Sequence, residues 1–237
     1  MSIGRLPPVL ALLAVVLLAL AAAGVRLNLW SYRTGFQLLG WGALVGIAAT
    51  AGAIVALAVP KVRSGAAVGL MLTVGFGLAL GFAMWRSLHQ ARAVPQIHDI
   101  STDLSDPPAF VAILPLRAEA PNPAGHGGAD VAAAQRRGYP DLQPLELAVP
   151  PATAFARAVA AARAMAWDLV AADPAAGRIE ATATTFWFGF KDDVVVRVMP
   201  AAAGSRVDVR SVSRVGRSDL GANANRIRAF LAKVASP

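Results

Sequence analysis

Apolar and polar positions divide this chain into two halves with different periods. Three long uninterrupted apolar runs fill the first third: Pro7 to Val25, Phe36 to Val59 and Ala66 to Trp85. A helix rising 1.5 Å per residue needs roughly 20 mainly apolar residues to cross the hydrocarbon core of a bilayer, so each run is long enough for one span. None of the three contains Asp, Glu, Lys, Arg or His. Arg5, Arg26, Arg33, Lys61, Arg63 and Arg86 punctuate their ends, and Trp30, Tyr32, Trp41 and Trp85 stand where interfacial aromatics belong.

Residues 86 to about 141 follow no period and carry many prolines, with a glycine patch at Gly125, Gly127 and Gly128. The segment is expected as a linker, or in part as a strap lying on the domain that follows. Short periods return from Leu142. Leu142, Leu145 and Leu147 suggest a strand, and Phe155, Ala158, Val159, Ala162 and Met165 recur at helical spacing. Strands follow at Trp167 to Ala171, Ile179 to Phe190, Val194 to Met199 and Arg206 to Ser213. Ser218 or Asp219 then caps a helix with an apolar stripe of Leu220, Ala224, Ile227, Leu231 and Val234.

The expected architecture is a three-helix membrane region over 1–85, the linker or strap over 86–141, and an α+β domain over 142–237. Hairpin-length links imply an antiparallel sheet with both helices on one face.

Charge sharpens the division. All 14 acidic residues lie at Asp99 or later, so the first 98 residues carry none. Of the formal +8, five basic residues precede residue 86, and the other 17 face 14 acids. The high net charge therefore belongs largely to membrane loops, and nucleic acid is not an expected partner. The expected partners are the lipid bilayer and an envelope protein or an anionic lipid or polymer. The absence of cysteine excludes disulfides and thiolate chemistry.

The short basic loop Pro60 to Gly65 favours an N-terminus in the cytoplasm, which puts the C-terminal domain outside it. Ala19-Leu20-Ala21 and Ala21-Ala22-Ala23 also fit signal-peptide cleavage, although the first apolar run exceeds a usual signal core. Only Gln37, Thr50 and Thr73 are notable polar residues within the spans, so anchoring suits them better than ion transport. Gly42-x-x-x-Gly46 and Gly77-x-x-x-Gly81 would meet at matching depth if the second and third spans run antiparallel.

Four stretches of the C-terminal half resemble a bacterial family known as domain of unknown function 1499. They are His98-Asp99-Ile100-Ser101-Thr102-Asp103 with Pro107-Pro108, Tyr139-Pro140, Lys191-Asp192-Asp193-Val194, and the run from Arg210 to Asn223. The resemblance covers roughly residues 95 to 235. It implies an envelope protein with N-terminal membrane helices, in the bacterial inner membrane with a periplasmic domain, and implies no chemistry.

Two constellations carry candidate chemistry. Arg210, Arg214 and Arg217 lead into a helix start with Asp219 and Asn223, an arrangement suited to an anion because arginines offer paired donors beside free helix N–H groups. The same arginines could instead pair internally with Asp192, Asp193, Asp208 and Asp219. His98, Asp99 and Asp103 form a second candidate, an acid–base group for an envelope enzyme using the arginines as clamp. With only His89 and His126 elsewhere, no metal site and no cofactor is expected. Gly125-His126-Gly127-Gly128 resembles a lipase oxyanion loop but lacks a G-x-S-x-G partner, so it is expected as a loop. Phe186, Phe188 and Phe190 would share one strand face opposite Trp187, either packed in the core or touching lipid or a partner.

Overall fold

A computed structural model describes residues 3–236. The chain forms two compact units, residues 1–90 with Phe186–Gly189, and residues 91–185 with 190–237.

In the first unit the apolar runs are helices α1 (Leu6–Arg26), α2 (Tyr32–Ala58) and α4 (Ala67–Ala93), with a single turn, α3 (Pro60–Arg63), between the last two. All three long helices are long and apolar enough to cross a membrane. Their large side chains point outward: Leu72 is 70% exposed and Leu78 69%. The buried positions of α1 and α2 are mostly small ones such as Ala14, Ala21, Gly42, Gly46 and Ala49, while α4 buries Leu70 and Thr73. Such an inverted distribution suits lipid, where bulky apolar groups need no cover and small residues let backbones approach. Polar groups within the helices are satisfied locally, the Thr50 and Thr73 hydroxyls donating to the carbonyls of Gly46 and Gly69 at 2.7 and 2.8 Å.

The two glycine motifs do not pair as expected. A Cβ on Gly46 would meet Leu80 and Phe76 of α4, and one on Gly77 would strike Thr50. Gly42, however, faces Leu18 and Ala14 of α1, and nothing lies within 4 Å of a Cβ built on Gly81. The closest helix pair is therefore α1 with α2.

The second unit is an α+β fold on a six-stranded antiparallel sheet. Its strands run β1 (Asp99–Ser101), β6 (Gly204–Ser213), β5 (Lys191–Ala201), β4 (Arg178–Thr184) and β3 (Asp168–Asp173), with β2 (Leu145–Leu147) sharing the β6 edge with β1. Long register sets the frame: β5 pairs with β6 from Asp192↔Ser213 to Ala201↔Gly204. Gly204 closes that hairpin at φ 139°, where a Cβ would fall 2.2 Å from the Leu147 carbonyl oxygen.

Alternation gives this sheet two different faces. One carries Ile179, Ala181, Val194, Val196, Val198, Val207 and Val209. It packs against α6 (Pro151–Ala164) through its small residues and against α7 (Ala222–Ala235) through Ile227, Phe230 and Val234. Trp167 stacks on Phe230 with ring centroids 5.0 Å apart. The opposite face carries Glu180, Thr182, Asp193, Val195, Arg197, Asp208, Arg210 and Val212, as the cross-strand partners Glu180↔Val195, Thr182↔Asp193 and Val195↔Arg210 place them. Glu180, Asp193, Asp208 and Arg210 are buried there, beneath the proline-rich segment.

The compact unit therefore starts at Ala91 and takes in the segment expected as linker or strap. Phe110 and Ile113 from that segment form a small core with Val195 and Val212. The Glu180 carboxylate accepts from the backbone N–H groups of Val111, Ala112 and Ile113 at 2.9 to 3.1 Å, anchoring the strap by a buried anion. An additional helix, α5 (Gly128–Gly138), follows the glycine patch. Its Gln135 amide completes the edge of β1, accepting from the Ser101 N–H at 3.0 Å and donating to its carbonyl at 2.6 Å. The aromatic stretch is a correction to the expected strand. β4 ends at Thr184, and residues 185–190 form the hairpin tip, with Gly189 at φ 68°.

Removing the Glu180 carboxylate would leave the strap amides without their acceptor, at about 1–3 kcal/mol for the buried one of Ile113. Hydrogen exchange of Glu180→Ala should therefore lose protection at 111–113 first and most. Unchanged protection there would show that the strap is held by other contacts.

Candidate functional site

The charged face is a lattice of arginine–carboxylate pairs, built mainly from the stretches that carried the family resemblance. Arg210 grips Asp99 with two bonds, Nε to Oδ1 at 2.9 Å and Nη2 to Oδ2 at 2.8 Å, and donates further to the Ala124 carbonyl at 2.9 Å. Arg214 grips Asp193 in the same way at 2.9 and 2.8 Å, and its Nη1 reaches the Leu116 carbonyl at 2.8 Å. Arg117 of the strap adds a second cation to Asp193 at 3.2 Å. Arg117 and Arg210 both stack on the Phe110 ring, at 5.4 and 5.2 Å from its centroid. Burial, with Asp193 opposing, and the nearby Arg214 and Arg210 leave the Arg117 pKa below its ordinary value.

Further along the sheet Arg197 and Arg206 bind Asp208 and Asp103. On the helix face Arg226 pairs with Asp192 at 2.6 Å and also donates to Asn223 Oδ1.

These contacts give the surroundings of each residue of the first candidate constellation. Arg210 and Arg214 are already paired with protein carboxylates, Arg214 sharing Asp193 with Arg117. Asp219 occupies the start of α7, accepting from Gly221 N–H at 2.9 Å and Asn223 N–H at 2.6 Å, so the helix N-terminus holds an internal anion. Burial raises the Asp219 pKa, outweighing those two bonds. Asn223 is fully buried and its amide is spent on Ser211, Ser213 and the His98 carbonyl. Only Arg217 is exposed, and it makes no hydrogen bond or ion pair with the described residues.

The second constellation also separates. Asp99 faces Arg210. Asp103 accepts from Ser105 and Asp106 and from Arg197 and Arg206, and lines a different, polar recess with Arg136 and Glu146. The His98 side chain does not join either pair. It opens into a cleft of about 320 Å³ lined by Ile97, Asp99, Asn122, Gly125, Val131 and Arg217. His98 and Arg217, 119 positions apart, thus share one cavity. His126 lies outside that lining. Its Nδ1 accepts from Gly128 N–H at 3.1 Å, and burial lowers its pKa. No group of three metal-ligating side chains occurs among the described residues.

Sequence reasoning missed Arg117, which sits in an aperiodic segment with no helical or strand pattern to orient it. It also missed the pairing of Arg210 with Asp99, which local spacing cannot reveal.

A charged α+β head on apolar helices is the class this geometry defines. The chain belongs to a family described as a protein of unknown function (DUF1499), whose pattern matches residues 99–234. No curated protein matches the sequence.

Asp103 gives the lattice a pH signature. Burial works to raise its pKa, but bonds from the Asp106 N–H and from the Ser105 hydroxyl and N–H, with Arg206 beside it, bring the net value below the usual carboxylate one. A lowered folded pKa contributes stability that is present above the unfolded pKa of about 4 and lost as pH falls through the folded one. The stability difference between the protein and Asp103→Asn should be largest near neutral pH and shrink below about pH 4. A difference that stays constant into acid would contradict this.

Proposed function

We propose that the protein is a membrane-anchored, non-catalytic binding module of the bacterial cell envelope. Three helices hold it in the inner membrane, and its C-terminal domain faces the periplasm. The cleft between His98 and Arg217 takes an anionic group of an envelope component, whether a free phosphate-bearing molecule or a lipid headgroup. The observation that supports this is the division among the arginines. Arg210 and Arg214 are spent on Asp99 and Asp193, whereas Arg217 stands exposed at a cleft with His98. An unneutralised guanidinium with a second donor nearby is suited to a phosphate or carboxylate.

An envelope enzyme built on His98, Asp99 and Asp103 is the second reading, and the shared cleft of His98 and Arg217 speaks for it. Acid–base work would also need a carboxylate to orient the imidazole. Asp99 is bound to Arg210, and Asp103 lines another recess. Binding therefore accounts for more of the geometry.

Calorimetry on the full chain in non-ionic detergent, with inorganic phosphate and dihexanoyl phosphatidylglycerol as separate probes, tests the reading. At least one probe should bind. Arg217→Glu should weaken it about tenfold or more, the worth of a charged hydrogen bond, with unchanged melting temperature. Equal binding by the variant, or no binding of either probe, would contradict it.

A further inference from the structure

The tip of the β4–β5 hairpin exposes aromatic side chains, unlike the second unit, most of whose aromatics are buried. Trp167, Phe110, Phe230 and Tyr139 are buried, whereas Phe186 is 76% and Trp187 71% exposed, the two rings meeting edge to face at 5.2 Å. The turn itself is well tied. Thr185 N–H donates to the Phe190 carbonyl and Phe190 N–H to the Thr185 hydroxyl, each at 2.8 Å. The exposure is therefore a property of an ordered loop.

Residues 186–189 group with the apolar helices of the first unit. Arg26, the last residue of α1, donates to the Phe186 carbonyl and lies over its ring. Phe188 meets Phe36 edge to face at 5.5 Å, about one turn inside the start of α2. Arg26, Trp30 and Tyr32 mark the level at which these helices pass from apolar to polar, where amphipathic aromatics favour a membrane interface.

We infer that Phe186 and Trp187 form a second, non-helical membrane contact, with the hairpin tip immersed in the interfacial layer of the bilayer that holds α1, α2 and α4. The inference rests on those helices lying in lipid. A lipid interface is the occupant that fits, because it accepts a Trp and a Phe beside a helix-terminal arginine without a matching protein surface.

The absence of cysteine makes the test direct. Full-length protein carrying a spin label at Trp187→Cys, and separately at Phe186→Cys, is reconstituted in phosphatidylcholine–phosphatidylglycerol vesicles. Collision with oxygen is compared with collision with a water-soluble nickel chelate. Leu72→Cys on α4 and Ala175→Cys in the exposed β3–β4 turn are the references. Both tip labels should show an oxygen-to-nickel ratio well above that at 175 and below that at 72. Ratios equal to that at 175 would overturn the inference while Leu72 still reports lipid. An immobilised label shielded from both reagents would overturn it in favour of a protein contact. An aqueous label at 72 would instead sink the membrane reading itself.

Discussion

Buried carboxylates on one face of the sheet are what the second unit is organised around. Strand alternation places Glu180, Asp193 and Asp208 on the same face, away from α6 and α7, and all three are removed from water. An ionised carboxylate in that setting must be matched by cations or by several N–H donors, since burying it alone is costly. The proline-rich segment supplies much of that match through Arg117 and the amides of residues 111–113. Buried ion pairs are weak contributors to net stability, yet breaking one is severe, so the lattice fixes where the strap must lie.

That constraint also sorts the functional candidates. A guanidinium gripping an internal carboxylate through two bonds cannot serve an outside ligand without stranding its partner. Arg210 and Arg214 are held in ion pairs within the protein, and Asp219 accepts hydrogen bonds at the start of α7. What is left open to solvent is Arg217 at a cleft with His98. The same contacts place Asp103 in a different recess from His98, while Asp99, which lines the His98 cleft, is held by Arg210.

Much of this was legible along the chain, and the gaps have physical causes. Uninterrupted apolar length marked the three helices long and apolar enough to cross a membrane, and Val194, Val196 and Val198 marked a strand with one face in the core. The alternation of those valines did not show that the opposite face, with Asp193 and Arg197, is also covered, because alternation reports two environments without saying that both are buried. The strap that covers them has no period. Proline supplies no N–H and favours extended backbone, so Phe110, Ile113 and Arg117 showed no common direction. Helix α5 was hidden by its flanking glycines and short length. The run from Phe186 to Phe190 looked like a strand because its residues favour β structure, but the pairing of Thr184 with Lys191 closes the hairpin before it begins.

The account turns on the pairs beneath the strap acting as one mutually dependent unit. A double-mutant cycle on Asp99 and Arg210, whose side chains are 5% and 3% exposed, tests this most directly through equilibrium unfolding of the full chain in detergent. The double alanine variant should lose less stability than the sum of the two single losses, with a coupling of roughly 2 kcal/mol or more. Additive losses within about 0.5 kcal/mol would contradict it, because the two residues would then be neighbours without being partners.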